Sequence, residues 1–443
     1  MFIGGLILSA PIRAWGDCNF DIPAQTPLNE LWDHLYQPPW ASPSPYPGTP
    51  GKLYRNGNQR PTGHNTVGVA RGDTIGATIG PIFMISIGLS NTTLEFAGSP
   101  NSFIPRAKGD DKSLNPNLVL VNGAQSGIDA EEWATHTNEE EQNSPWKILR
   151  DRLTTNNPPM TDPNQVQVAW IKLALEDPFM HGSFPDHATA LKGFLIDVLQ
   201  ALHDKYSNCQ IAYLSTRTRA YAFTLDDQGL THSPEPFAYE GGFGVKWVIE
   251  QQIDDHNIPG GDGGDLNYDL NKGPVKAPWI CWGPYFSTDG LTERSDHLVW
   301  RCDDDDETQS DVKLLNNENP PQPDYVHPTA SGIRKVTDQL LAFFKTDRTA
   351  KAWFNRTFSG TAPSVSISIT PPNPQRNELV TFTGGPDNMK TYNWNFDDGD
   401  CVIGQIVSKK FPVAGNYNVR LTVVENTTAG KWATATKTIN IAP

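Results

Sequence analysis

The chain has 443 residues, 37% of them hydrophobic and 13 of them tryptophan, enough for two or three domains with sizeable cores. Its formal charge of -15, with no concentrated basic face, excludes nucleic acid and an anionic membrane surface as partners. The 37 glycines and 37 prolines fall between apolar runs without a fixed period, so the chain reads as short elements joined by long surface loops.

Residues 2–11 form an apolar stretch too short to span a bilayer. It is either a signal segment (1–16) without the usual basic start, or a buried first strand; the first reading predicts export. From 17 to about 80 the chain is rich in proline, glycine and asparagine, with an amphipathic hint only around 28–36, and reads as a lead-in wrapped round a main domain. The five cysteines, Cys18, Cys209, Cys281, Cys302 and Cys401, contain no C-x-x-C pair, which disfavours zinc and thioredoxin-like chemistry. One or two disulfides fit, with a thiol left over. The acidic run 303–307 and the oxygen-rich stretch 262–269 match no fixed ligand spacing and read as solvated loops. No metal and no cofactor is assigned.

Next come apolar runs of strand length, at 82–87, 118–121, 166–173, 211–214 and 279–282. Helical patterns lie between or after them at 131–136, 145–153, 187–206 and 330–344, the last with capping hydroxyls at Thr329 or Ser331. This alternation predicts an α/β domain, a parallel sheet with crossover helices, over 17–360. Beyond a boundary near 361–363, β-branched and polar residues alternate at 364–369, 379–383, 417–424 and 433–441. These predict an antiparallel all-β sandwich at 363–443.

The first strand runs into Gly88-Leu89-Ser90-Asn91, setting a serine at the carboxyl end of a parallel strand, where ligands bind in open α/β sheets. A helix starting near Thr92 would aim free N–H groups at the serine oxygen, although the same residues also read as an ordinary helix cap. Far along the chain stands Asp324-Tyr325-Val326-His327-Pro328, whose spacing lets a carboxylate orient the imidazole that takes the serine proton. The loop after the second strand, Asn122-Gly123-Ala124-Gln125-Ser126-Gly127, offers backbone N–H groups for a developing oxyanion.

Together, over roughly residues 80–345, these blocks resemble the SGNH (GDSL-like) hydrolases. The resemblance implies a three-layer α/β/α, flavodoxin-like fold, with Ser90 as nucleophile, His327 as general base and Asp324 as its orienting carboxylate. The oxyanion glycine it implies falls on Gly127, or alternatively on Gly123. Two features depart from the family: Leu89 and Asn91 stand beside the serine where the G-D-S-L signature has aspartate and leucine, and no asparagine follows the strand at 166–171. In its place stands Lys172-Leu173-Ala174-Leu175-Glu176-Asp177. Lys172 either donates to the oxyanion or pairs with Glu176 or Asp177.

The run Trp394-Asn395-Phe396-Asp397-Asp398-Gly399, followed by Phe411 and Gly415-Asn416-Tyr417, resembles the PKD domain, an Ig-like sandwich, with Asp397 in place of the first glycine of W-x-F-G-D-G. Trp394 and Phe396 are expected in its core. Such modules look like spacers or polymer-contacting domains of secreted hydrolases. The joint expectation is a secreted serine esterase acting on a small or polysaccharide-bound acyl ester, or alternatively a non-catalytic binding protein on the same fold. Trp133, Trp170, Trp279 and Trp282 lie near strand ends as candidates for lining an acyl or sugar pocket. His181, His187 and His297 read as solvated or capping.

Overall fold

The computed structural model describes residues 18, 25–32, 34–36, 49–109, 112–222, 232–314 and 324–443. The segment 1–16, expected to be a signal, lies outside them.

Five parallel strands form the main sheet: β1 Ile82–Gly88, β2 Leu118–Asn122, β3 Val166–Lys172, β4 Ile211–Leu214 and β5 Trp279–Trp282, in the order β2-β1-β3-β4-β5. They are apolar almost throughout because helices cover both faces. On one face Phe83, Ile85, Ile87 and Ile171 pack with Trp133, Leu149, Leu195 and Ile249. On the other Ile82, Met84, Val168 and Tyr213 pack with Ile75, Phe96, Leu340 and Phe344. The domain is therefore a three-layer α/β/α sandwich with flavodoxin-like strand order, whose switch point lies between β1 and β3. The register sets Gly88 opposite Lys172 and Ser86 opposite Asn122, so the carboxyl ends of β1, β2 and β3 finish side by side.

The helices that bear on the site are α1 Thr62–Gly76, α2 Ser90–Ala97, α3 Ala130–Thr135, α4 Pro145–Thr155, α5 Asp186–Lys205, α6 Phe237–Asn257 and α7 Ala330–Thr346. The sequence pattern anticipates α3, α4, α5 and α7, and Thr329 caps α7 by accepting from the Gly332 N–H. It does not anticipate α1 or α6. The stretch before β1 is not only a wrapping lead-in: besides α1 it holds a helical turn, Leu28–Leu31, and a short antiparallel pair, Leu35–Tyr36 with Thr49–Pro50. Gly72 of α1 explains the misreading. It sits against the Thr349 backbone, where a Cβ would collide, so the glycine that looks like a loop residue is the one that lets the helix approach.

The strands of the C-terminal region pair antiparallel. They are β6 Ser366–Thr370, β7 Leu379–Gly385, β8 Met389–Asn395, β9 Cys401–Ile403, β10 Ile406–Lys410, β11 Gly415–Glu425 and β12 Trp432–Ile441. They form two sheets, β9-β8-β11-β12 and β10-β7-β6. Trp394 and Phe396 are fully buried between them with Phe382, Phe411 and Leu421, as expected. Asp397 adopts a left-handed φ of 67°, which explains why a glycine suits this position and why an aspartate is tolerated.

This region does not hang off the chain as a spacer would. Cys401 joins the core of the α/β domain, Trp432 Nε1 donates to the Arg356 carbonyl at 2.6 Å, and Thr422 Oγ1 donates to the Lys345 carbonyl at 3.1 Å. An ion network, fully buried at its centre, also crosses the junction. Arg294 pairs with Asp296 at 2.8 Å and with Asp400 at 3.0 Å, and Lys409 pairs with Asp400 and, at 3.1 Å, with Asp398. One disulfide, Cys18–Cys302, is present among the described residues, with Cys209, Cys281 and Cys401 free and buried.

Candidate active site

Ser90 is the first residue of α2, directly after β1. Leu89 is extended, so the chain turns sharply from strand to helix, and the opening N–H groups of α2 lie beside the serine. Gly88 makes the turn possible because a Cβ there would strike Thr92 and the Lys172 carbonyl. Thr92 Oγ1 donates to that carbonyl at 2.9 Å, and the Gln125 N–H donates to the Gly88 carbonyl at 3.0 Å. The serine turn is thereby fixed to both neighbouring strands.

Asp324 and His327 come from the loop before α7. Tyr325 takes a left-handed φ of 51°, and the loop is paired to 311–314 through Lys313 N–H to the His327 carbonyl (2.8 Å) and Asp324 N–H to the Leu314 carbonyl (3.1 Å). The tight turn lets Asp324 Oδ1 accept the N–H groups of Val326 and His327 at 3.0 and 2.8 Å. His327 Nδ1 lies 2.9 Å from Asp324 Oδ2, and His327 Nε2 lies 2.6 Å from Ser90 Oγ. Because the carboxylate can only accept, the ring proton sits on Nδ1, leaving the Nε2 lone pair for the serine hydroxyl. Burial works against the Asp324 charge, but the ring of His327 and the two backbone donors outweigh it and hold this carboxyl below its ordinary range. Asn91 Nδ2 donates to the Val326 carbonyl at 3.0 Å, bracing the serine helix against the histidine loop.

Of the two glycines, Gly127 lies at the rim of the cavity beside Ser90 with a φ of 70°. Gly123 is buried beneath, and its N–H donates to Ser86 Oγ at 3.3 Å.

The expected partners of Lys172 are corrected. Its ammonium is not paired with Glu176 or Asp177; it lies 2.7 Å from both carboxylate oxygens of Glu95, with Lys172 and Glu95 both fully buried. Lys172 ends a strand covered on both faces, and Glu95 is presented by the inner side of α2, four residues after Asn91. Burial pushes Glu95 up and Lys172 down, each opposed by its partner. Glu176 instead meets His232 Nδ1 at 3.0 Å, a hydrogen bond that holds its carboxyl low.

The cavity over Ser90 is about 30 Å³, lined by Ser90, Gly127, Lys172, Arg217, His232 and His327 among others. Arg217 and His232 are the residues the sequence reading missed. Arg217 follows the carboxyl end of β4, and that position was the available signal. It is 8% exposed, its Nη1 donates to the His232 carbonyl at 2.8 Å, and burial pushes its pKa down against the pull of Glu235, Glu95, Glu176 and Asp324.

The four tryptophans proposed as pocket residues do not line this cavity. Trp133, Trp170, Trp279 and Trp282 are at most 3% exposed and belong to the two sheet-covering cores. His181 and His297 pair with Glu131 and Glu293, and His187 is buried against Glu240, all away from Ser90. No helix among the described residues is long and apolar enough to cross a membrane.

Residues 361–441 match the PKD domain family. No curated protein matches the chain. Among solved structures, a study of carbohydrate-binding modules of the β-sandwich superfamily matches at 25% identity and a TM-score of 0.17, over 19% of this chain and 36% of that one, well under two thirds of its length. The PKD1 domain of Vibrio anguillarum Epp matches at 22% identity and a TM-score of 0.16, over 19% of this chain and 98% of the domain. A carbohydrate esterase family 2 enzyme with a carbohydrate-binding domain, from Corynascus thermopiles (Myceliophthora fergusii), matches at 14% identity and a TM-score of 0.28, over 60% of this chain and 66% of that one.

Proposed function

We propose that the chain is a secreted serine esterase of the SGNH type that removes small acyl groups, foremost acetyl, from ester substrates, including those borne on polysaccharides. On this reading residues 17–360 are the hydrolase domain and 363–443 the PKD module. The observation that carries it is the line from Asp324 through His327 to Ser90, at 2.9 and 2.6 Å, at the sheet's switch point. Ser90 Oγ attacks the ester carbonyl as its proton passes to His327 Nε2, and the carbonyl electron pair moves onto oxygen. Collapse of that intermediate expels the alcohol, which takes the proton from His327 and leaves an acyl-serine. Water then repeats the sequence, giving up a proton to His327, and the free acid and Ser90 are restored. Asp324 stabilises the imidazolium at each stage without taking its proton. Gly127 and the first N–H groups of α2 are the backbone donors for the oxyanion.

The cavity over Ser90, about 30 Å³, has room for a small acyl group such as acetyl. The Cys18–Cys302 disulfide favours an oxidising compartment and so supports export. The substrate alcohol is proposed to be a sugar hydroxyl, on the association of the PKD module with polymer-directed hydrolases. A second reading, a binding protein without catalysis, is favoured by the commitment of Lys172 to Glu95, which leaves β3 without a free side-chain donor at its end.

The test is hydrolysis of p-nitrophenyl acetate and butyrate by the chain and by Ser90→Ala, both checked for folding. The esterase reading expects acetate to be preferred and the substitution to remove about 10⁴-fold or more of the activity. Equal background rates in both proteins count against the esterase reading and favour the binding protein.

A further inference from the structure

We propose that Arg217 is a catalytic residue, donating from its guanidinium to the acyl oxygen as negative charge develops there. The proposal rests on the esterase reading of Ser90.

A carbonyl carbon bonded to Ser90 Oγ is enclosed by the residues that line the small cavity, Arg217 among them. Most side-chain donors in its lining are already engaged. Asn91 Nδ2 is held by the Val326 carbonyl, Thr92 Oγ1 by the Lys172 carbonyl, the Lys172 ammonium by Glu95, and His232 Nδ1 by Glu176. Arg217 is the exception. Its Nη1 meets the His232 carbonyl, while its Nε–H is buried and has no hydrogen-bond partner among the described residues.

A buried N–H without an acceptor is costly and uncommon, and an occupant of the cavity that supplies the acceptor removes the cost. The guanidinium suits an oxyanion because it is planar, keeps its charge, and presents Nε–H and an Nη–H in one rigid fork. Burial works against that charge, and Glu235, Glu95, Glu176 and Asp324 favour it. The hydrogen bond from Nη1 to the His232 carbonyl fixes the group before the reaction, which limits the reorganisation needed when the oxygen becomes negative. The step adds no bond: the electron pair released from the carbonyl stays on oxygen until it re-forms the double bond and expels the alcohol.

The experiment measures kcat and KM on p-nitrophenyl acetate for the full chain, Ser90→Ala, Arg217→Lys and Arg217→Ala, with thermal unfolding of each. Arg217→Lys keeps the charge that the surrounding carboxylates require but loses the fork. The expected result is a kcat about 100-fold lower with KM changed less than about threefold. Added guanidinium ion at low millimolar concentration should restore part of the rate to Arg217→Ala, which a purely structural role would not allow. A folded Arg217→Lys variant within about fivefold of the parent kcat, or a loss carried by KM alone, overturns the proposal. A parent chain no faster than Ser90→Ala removes the esterase reading and this inference with it, whereas an active parent with an unaffected Arg217→Lys removes only the inference.

Discussion

Lys172 Nζ lies 2.7 Å from both oxygens of Glu95, and neither side chain reaches solvent. Such a pair costs much to desolvate, so its net worth is small, but removing one partner strands a charge in the core. Lys172→Met alone should therefore destabilise the chain by about 3–5 kcal/mol, and Glu95→Leu added to it should recover most of that loss. Urea unfolding of the two variants checks this, and a double variant no more stable than the single one contradicts it.

Asp324 is kept ionised by the His327 ring and by two backbone N–H groups. Asp324→Asn keeps the shape but offers the ring an amide in place of a pure acceptor, so the imidazole can settle with its proton on Nε2, facing the serine. We expect acetate hydrolysis to fall by about 10⁴-fold with the fold intact. Because the folded carboxyl titrates below its ordinary value of 3.8, its contribution to stability is present above that pH and is lost as the pH falls through the folded value. The variant should thus lose less stability than the parent between pH 5 and pH 3, measured by thermal melting.

Much of this arrangement was legible because it depends on local pattern. A buried parallel strand has to be apolar throughout, so β1 to β5 stood out, whereas the serine at the end of β1 and the Asp324–His327 loop before α7 were joined only by the resemblance to the SGNH hydrolases. The elements that did not stand out, α1 and α6, carry glycines where a helix face meets another element: Gly72 on Thr349, and Gly244 on Ala188. Glycine at such contacts weakens the helical pattern while strengthening the packing. The partner of Lys172 was also hidden. Glu95 is 77 residues away and reaches it only because α2 folds back over the end of β3. Arg217 was missed for a related reason, since an arginine after a strand has no motif of its own and gains meaning from the cavity that encloses it.

Cys18 and Cys302 are 284 residues apart in sequence, so their disulfide closes most of the α/β domain into one loop. Cross-linking across so long a loop constrains the unfolded chain strongly, with typical effects of about 2–5 kcal/mol. Cys18→Ser with Cys302→Ser should lower the stability by that amount without changing kcat on p-nitrophenyl acetate, because neither sulfur lines the cavity over Ser90. Denaturant unfolding together with the rate assay decides it, and an unchanged midpoint would show that the bridge adds little to the fold.

The junction between the α/β sheet and the PKD sandwich should respond to pH with a sign set by Asp398. Burial, and after it the nearby Asp400 charge, push its carboxyl up to about 7 despite the pull of Lys409. The folded chain therefore binds more protons than the unfolded one between about pH 4 and pH 7, and stability falls as pH rises across that window. Asp296 works in the opposite direction: Arg294 draws it down to about 2, so its contribution holds through the neutral range and is lost only under strong acid. Asp398→Asn removes the first effect and leaves the second. Urea midpoints for parent and variant at pH 4.5 and 7.5 should converge at the higher pH or cross in favour of the variant. A parent that is equally stable at both values, with the variant simply weaker at each, would mean that Lys409 keeps Asp398 ionised throughout and that the junction is an ordinary buried ion pair.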